Sequence, residues 1–153
     1  MENYLRFVDY NSGLLRIAPP NTEILSTQEM SEISGSDNPA VFERENQIIF
    51  IAEKDNYEMM DYYILSYTMR HLWQDITDPD YYYPENSTIN SEHDFNISPA
   101  EIDANAFACI AIALRFNKVT RRTYNTDPIA QELYDKRVDE LAEEYGIDIY
   151  LIG

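Results

Sequence analysis

The sequence predicts an α+β fold in which a small antiparallel sheet, built from N-terminal hairpins, packs on about three helices. Three observations predict it. Short β-branched and aromatic runs separated by turn residues occupy the first third of the chain. Apolar residues at helical spacing, with recognisable caps, occupy much of the remainder. No internal repeat divides the 153 residues, a length that suits one domain with its own core (residues 1–153). A hydrophobic fraction of 44% and an aromatic fraction of 13% place the chain among folded proteins.

Taken in order, Tyr4–Tyr10 and Leu14–Ala18 flank Asn11-Ser12-Gly13, which reads as a hairpin turn, and Pro19-Pro20 stops the second strand. Ser26 and Glu29 stand at capping-box spacing and open a short helix to Ile33. Residues 40–43 and 47–52 read as a second hairpin, its later strand apolar on both faces and hence central. A helix is expected from about Asn56 to Gln74, with Met60, Tyr63, Ile64, Tyr67 and His71 on one face. The next opens with Ser98 as N-cap, Pro99 at the first position and Glu101 at the third, and runs to about Asn117. The last runs from Asp127-Pro128 to Tyr145, with Gly146 just beyond its end and an inward stripe of Ile129, Leu133, Val138, Leu141 and Tyr145. Residues 147–152 read as a closing strand. Between the first two long helices, residues 75–97 hold two prolines and the run Tyr81-Tyr82-Tyr83 without helical period. A loop of this length is usually functional or disordered. Tyrosine supplies rigid contact area, so an interaction loop and local core packing both stand as readings.

Charge is the second strong signal. A formal net charge of −17 lies far outside the magnitude of about 2–8 usual for small domains. It repels nucleic acid and acidic membrane surfaces and attracts basic partners. Between His71 and Leu114 there is no Lys or Arg, whereas Asp75, Asp78, Asp80, Glu85, Glu92, Asp94, Glu101 and Asp103 all fall there. Such a distribution reads either as a solvated, halophile-like surface or as a polyanion mimic. The basic run Arg115 to Arg122 complements the dipole at a helix end, or forms a second contact surface. No apolar run approaches the roughly 18–20 residues that span a bilayer. The N-terminus carries no leader pattern, and the lone Cys109 suits a reducing compartment and a packing role. A cytosolic protein is therefore expected.

The stretch Ile64–Gln74 has the outline of a zinc-peptidase helix. In such a helix H-E-x-x-H places two metal-binding histidines on one face and a glutamate that activates the bound water. Here His71 fills the second histidine position, Tyr67 stands at the first and Thr68 at the glutamate. Together with Arg70, Trp73 and Gln74, and with Pro99-Ala100-Glu101-Ile102-Asp103-Ala104-Asn105-Ala106-Phe107-Ala108, it resembles the ImmA/IrrE-like zinc metallopeptidases of phages and conjugative elements. The resemblance implies a zincin-like core over about residues 40–115. It also implies His71 and Glu101 as metal ligands, with Tyr67, Asp75 and His93 as candidates to complete a structural Zn²⁺ site. Each ligand has a plain alternative: a core-facing histidine for His71, a capping-box glutamate for Glu101.

Without a carboxylate at position 68 nothing adjacent can take the water's proton, so no catalytic residue is expected and the chain reads as a degenerate peptidase. The expected function is that of a non-catalytic acidic inhibitor from a phage or mobile element, acting in a bacterial host. It would bind a basic nucleic-acid-handling defence protein, such as a Cas9-type nuclease, and block DNA loading in the anti-CRISPR manner. The expected contact residues are Asp75, Asp78, Asp80, Tyr81, Tyr82, Tyr83, Glu85, Glu92 and Asp94. Two alternatives are a zinc-dependent peptidase with a rearranged site and a regulatory partner of another mobile-element protein.

Overall fold

In a computed structural model describing residues 3–86 and 88–152, the chain is α+β, with seven α-helices and one three-stranded sheet among the described residues. It falls into two compact units, Met1–Trp73 and Gln74–Gly153. No helix of the described residues is long and apolar enough to cross a membrane.

The first unit begins with a helix, α1 (Tyr4–Leu15), where a hairpin was expected. Tyr4, Phe7, Val8, Asn11, Ser12 and Leu15 are its buried residues, spaced at three and four. Two members of that stripe are polar, so the apolar period is broken and Asn-Ser-Gly imitates a turn. The helix tolerates them because their side chains bond back one turn: Asn11 Nδ2 donates to the Phe7 carbonyl and Ser12 Oγ to that of Val8, both at 2.8 Å. Asn3 caps the start through the Leu5 N–H. Arg16, in the left-handed region at φ 55°, ends the last turn.

Strand β1 (Asn21–Leu25) follows the two prolines, then α2 (Thr27–Ser34), then β2 (Ala40–Glu43) and β3 (Ile48–Ala52). The capping box of α2 is present in both arms: the Glu29 N–H donates to Ser26 Oγ and the Ser26 N–H to Glu29 Oε1. β2 and β3 form the expected antiparallel pair, with Val41 opposite Phe50. The sheet as a whole is mixed rather than antiparallel, because β1 pairs with β3 in parallel, Asn21 against Ile48 through Leu25 against Ala52. In the order β1-β3-β2 the apolar β3 is central, as its composition requires.

Helix α3 (Met59–Thr77) starts and ends about one turn later than expected. Its most deeply buried side chains are Tyr62, Leu65, Met69 and Leu72. The expected shared face is mixed in burial: Tyr63 is buried, Ile64, Tyr67 and His71 are half-buried, and Met60 is exposed. Burying Leu65 and Met69 outweighs the pull of the aromatic face, each contributing about 2 kcal/mol.

In the second unit α6 (Pro99–Phe116) is buried at every position from Ala100 to Ala113. Its six alanines between those positions allow close approach of neighbouring backbone. Ser98 accepts from the Glu101 N–H, and Asn117 at φ 54° ends the helix. Cys109 lies within α6, where burial pushes its thiol pKa up. α6 packs on α7 (Pro128–Glu144), which Asp127 caps through the Ala130 N–H at 3.1 Å. Gly146, at φ 66°, closes α7 as expected. The inward stripe of α7 is Ala130, Tyr134, Val138, Leu141 and Ala142. Ile129 and Leu133 are exposed, because small Ala130 and the hydroxyl-bonded Tyr134 take the packed positions; Tyr134 Oη accepts the Arg122 N–H. Residues 147–152 are not a strand. Ile149–Leu151 form a 3₁₀ turn capped by Asp148.

Candidate functional site

The residues that resemble a zincin site are distributed between the units. In the first, His71 is half-buried on α3 and its ring meets that of Tyr67 edge-on, centroids 4.5 Å apart at 84°. Thr68, at the position of the missing glutamate, donates its hydroxyl to the Ile64 carbonyl at 2.7 Å. That bond fixes it as a helix-internal group. The Arg70 guanidinium lies 3.6 Å from the Trp73 ring centroid.

In the second unit Glu101 is buried, and its N–H is the donor to the Ser98 cap. His93, on the short helix α5 (Glu92–Asn96), has Nδ1 2.8 Å from Asp127 Oδ2. It is thus committed to the cap of α7. Burial pulls the Asp127 carboxyl upward, but the Ala130 N–H, His93 and Asn96 outweigh it and hold the carboxyl below its usual range. Asp75 is half-buried near the end of α3. Among the described residues no group of three or more His, Cys, Asp or Glu is placed to hold a metal ion.

The segment 75–97 is better organised than an irregular loop. It contains α4 (Pro79–Tyr82) and α5, and Ser91 caps α5 through the Asp94 N–H. Asp78, Asp80, Glu85 and Glu92 are exposed; Asp94 is half-buried and accepts the Asn90 N–H at 3.1 Å. Tyr81 is exposed, and its ring meets that of the half-buried Tyr82 at 4.9 Å. Tyr83 acts differently: its hydroxyl donates to Gln74 Oε1 at 3.1 Å.

Gln74 in turn donates from Nε2 to the Ala100 carbonyl and to Asp103 Oδ2, both at 2.9 Å. The other oxygen of Asp103 accepts from Arg137 Nε at 2.9 Å and Nη2 at 2.7 Å, while Arg137 Nη1 reaches Glu140. Burial works against the Arg137 charge, but Asp103 and Glu140 more than restore it and raise its pKa. The chain Tyr83–Gln74–Asp103–Arg137–Glu140 ties the tyrosine segment to α6 and α7. It also gives two motif residues a structural meaning, since the Gln74 at the end of one motif clamps the Asp103 of the other. Beside it opens a cleft of about 400 Å³ lined by Tyr81, Tyr82, Ile102, Leu133 and Lys136 among others.

Thus the eight acidic residues between positions 71 and 114 differ in exposure, with Asp75 and Asp94 half-buried. Glu101 and Asp103 are buried, and Asp103 is neutralised internally, whereas Asp78, Asp80, Glu85 and Glu92 face solvent. Sequence reasoning missed Arg137, the cation that neutralises Asp103. Its signal was slight: an arginine beside the buried stripe position Val138. The basic run is also largely engaged. Arg121 pairs with Asp135 at 2.7 Å, and Arg122 Nη1 donates to Asn105 Oδ1 at 3.2 Å. The chain matches no protein-family model, no curated protein and no solved structure.

Proposed function

We propose that this chain is a non-catalytic acidic binding protein of a phage or mobile element, and that it occupies a basic, nucleic-acid-handling surface of a host defence protein. The observation that carries the reading is the exposed carboxylate set Asp78, Asp80, Glu85 and Glu92, in a stretch without Lys or Arg. The hydrogen bonds of Tyr83, Gln74 and Asp103 support it by anchoring that stretch, because a pre-ordered contact segment loses less entropy on binding. Thr68, its hydroxyl spent on a helix carbonyl, supports the non-catalytic part.

The mechanism follows from charge. Carboxylates on a short, anchored segment meet the Lys and Arg side chains that line a nucleic-acid channel, and the occupied channel no longer admits DNA. A Cas9-type nuclease is the test partner, because its channels hold nucleic acid through such side chains. Association is measured against the purified nuclease at low and at physiological salt, together with DNA loading. Binding with an on-rate that falls with added salt is expected. The combined Asp78→Asn, Asp80→Asn, Glu85→Gln and Glu92→Gln variant is expected to associate roughly tenfold more slowly. Absence of binding at low salt overturns the assignment to this partner class.

A further inference from the structure

A second recognition feature lies in the first unit. Around the start of α1, the end of β3 and the turn before α3 is a cleft of about 340 Å³, within the usual range for small-ligand sites. Tyr4, Tyr57 and Tyr62 line it, together with Glu53 and Asp55 and the apolar Leu5 and Ile24. The rings form a cluster: Tyr4 and Tyr57 are stacked at 4.2 Å and 6°, and Tyr62 lies tilted against both.

The two stacked rings are held in place by their own hydroxyls. Tyr57 donates to the Ala52 carbonyl at 2.8 Å and Tyr4 to the Asp61 carbonyl at 2.6 Å. Tyr4 and Tyr62 are buried, so the half-buried Tyr57 ring, backed by Tyr4, is the aromatic surface positioned before any ligand arrives. The nearby cation is already committed, since Lys54 Nζ pairs with Asp61 Oδ2 at 2.9 Å. Among the described residues the exposed carboxylates of Glu53 and Asp55 carry neither an ion pair nor a hydrogen bond.

We infer that this cleft receives an arginine side chain from a basic segment of a partner protein. Fixed aromatic surface attracts a cation through its ring quadrupole. Two uncompensated carboxylates beside it match the forked donors of a guanidinium better than a single ammonium. The exposed Leu5 and Ile24 at the rim suit the methylene stem. The inference rests on the reading of the chain as a binder of basic proteins, and it adds a contact that the acidic segment does not provide.

The test uses the full-length ¹⁵N-labelled protein and a short acetylated, amidated peptide of alternating alanine and arginine. The comparison peptide carries citrulline, which keeps the shape of arginine and removes its charge. In low salt the arginine peptide is expected to shift the backbone resonances of Glu53, Asp55 and Tyr57. The citrulline peptide, and the Glu53→Gln/Asp55→Asn variant with the arginine peptide, are each expected to bind roughly tenfold more weakly. Tyr57→Leu, which removes the ring, is expected to lose binding of the arginine peptide. Equal binding of the two peptides, or no shifts with either, overturns the inference. Shifts confined to residues 78–94 overturn it too, while leaving the basic-partner reading intact. Conversely, cleft shifts together with no nuclease binding leave the cleft standing and remove the proposed partner.

Discussion

Replacing Arg137 with methionine removes the cation from Asp103 while keeping most of the packing of its stem. The Asp103 side chain is 4% exposed and that of Arg137 27%. Two charge-assisted hydrogen bonds disappear, at 2.9 and 2.7 Å; such bonds contribute about 1.5–3 kcal/mol each. Stranding a buried charge costs about 3–5 kcal/mol in total. Because Arg137 is a quarter exposed, its loss lets water approach the carboxylate, so the lower end applies, about 3 kcal/mol. The double variant Asp103→Leu/Arg137→Met leaves no orphan charge. Gln74 keeps its bond to the Ala100 carbonyl, and the double variant should cost only about 1 kcal/mol. Urea unfolding of the wild type, both single variants and the double variant closes the cycle. A coupling of about 2 kcal/mol or more is expected, changing little with salt because the pair is shielded. If Arg137→Met costs under about 0.5 kcal/mol, or the two sites add within about 0.3 kcal/mol, the network is not what holds this region together.

Three further outcomes follow from the same geometry. The depressed Asp127 carboxyl binds its proton more readily in the unfolded chain, so its contribution is complete above the unfolded pKa of about 3.9 and is lost as pH falls through the lower folded value. Urea midpoints for wild type and Asp127→Asn should therefore converge on acidification, and a gap that stays constant down to about pH 2.5 contradicts that linkage. Ser26→Ala removes the side-chain arm of the α2 capping box, the Glu29 N–H to Ser26 Oγ bond, and should cost about 1 kcal/mol by urea unfolding, with no loss taken as refutation. Elemental analysis of protein purified without a metal-affinity tag should find well under one equivalent of zinc, since among the described residues no group of three or more His, Cys, Asp or Glu could hold a metal ion. A full equivalent that disappears in His71→Ala would reinstate His71 as a ligand.

The parts of the molecule legible in advance are those governed by contacts a few residues apart. Ser26 with Glu29, Ser98 with Pro99 and Glu101, Asp127 with Pro128, and Gly146 each satisfy or terminate a helix end locally, and the β2–β3 hairpin needs only its own short connection. Helix α1 was obscured because Asn11 and Ser12 occupy buried positions and bond back through Nδ2 and Oγ to carbonyls one turn earlier, which no apolar period reveals. Residues beyond local reach were settled only by tertiary structure. Strand β1 exists through parallel pairing with β3, more than twenty residues away. Residues 147–152 carry a strand-like pattern, yet Ile149–Leu151 form a 3₁₀ turn whose cap is Asp148. For function the division is the same. Composition alone determined the charge of −17 and the cation-free stretch. That Asp103 is neutralised was decided by Arg137, 34 residues away in sequence, because a charge is neutralised by what lies near it in space.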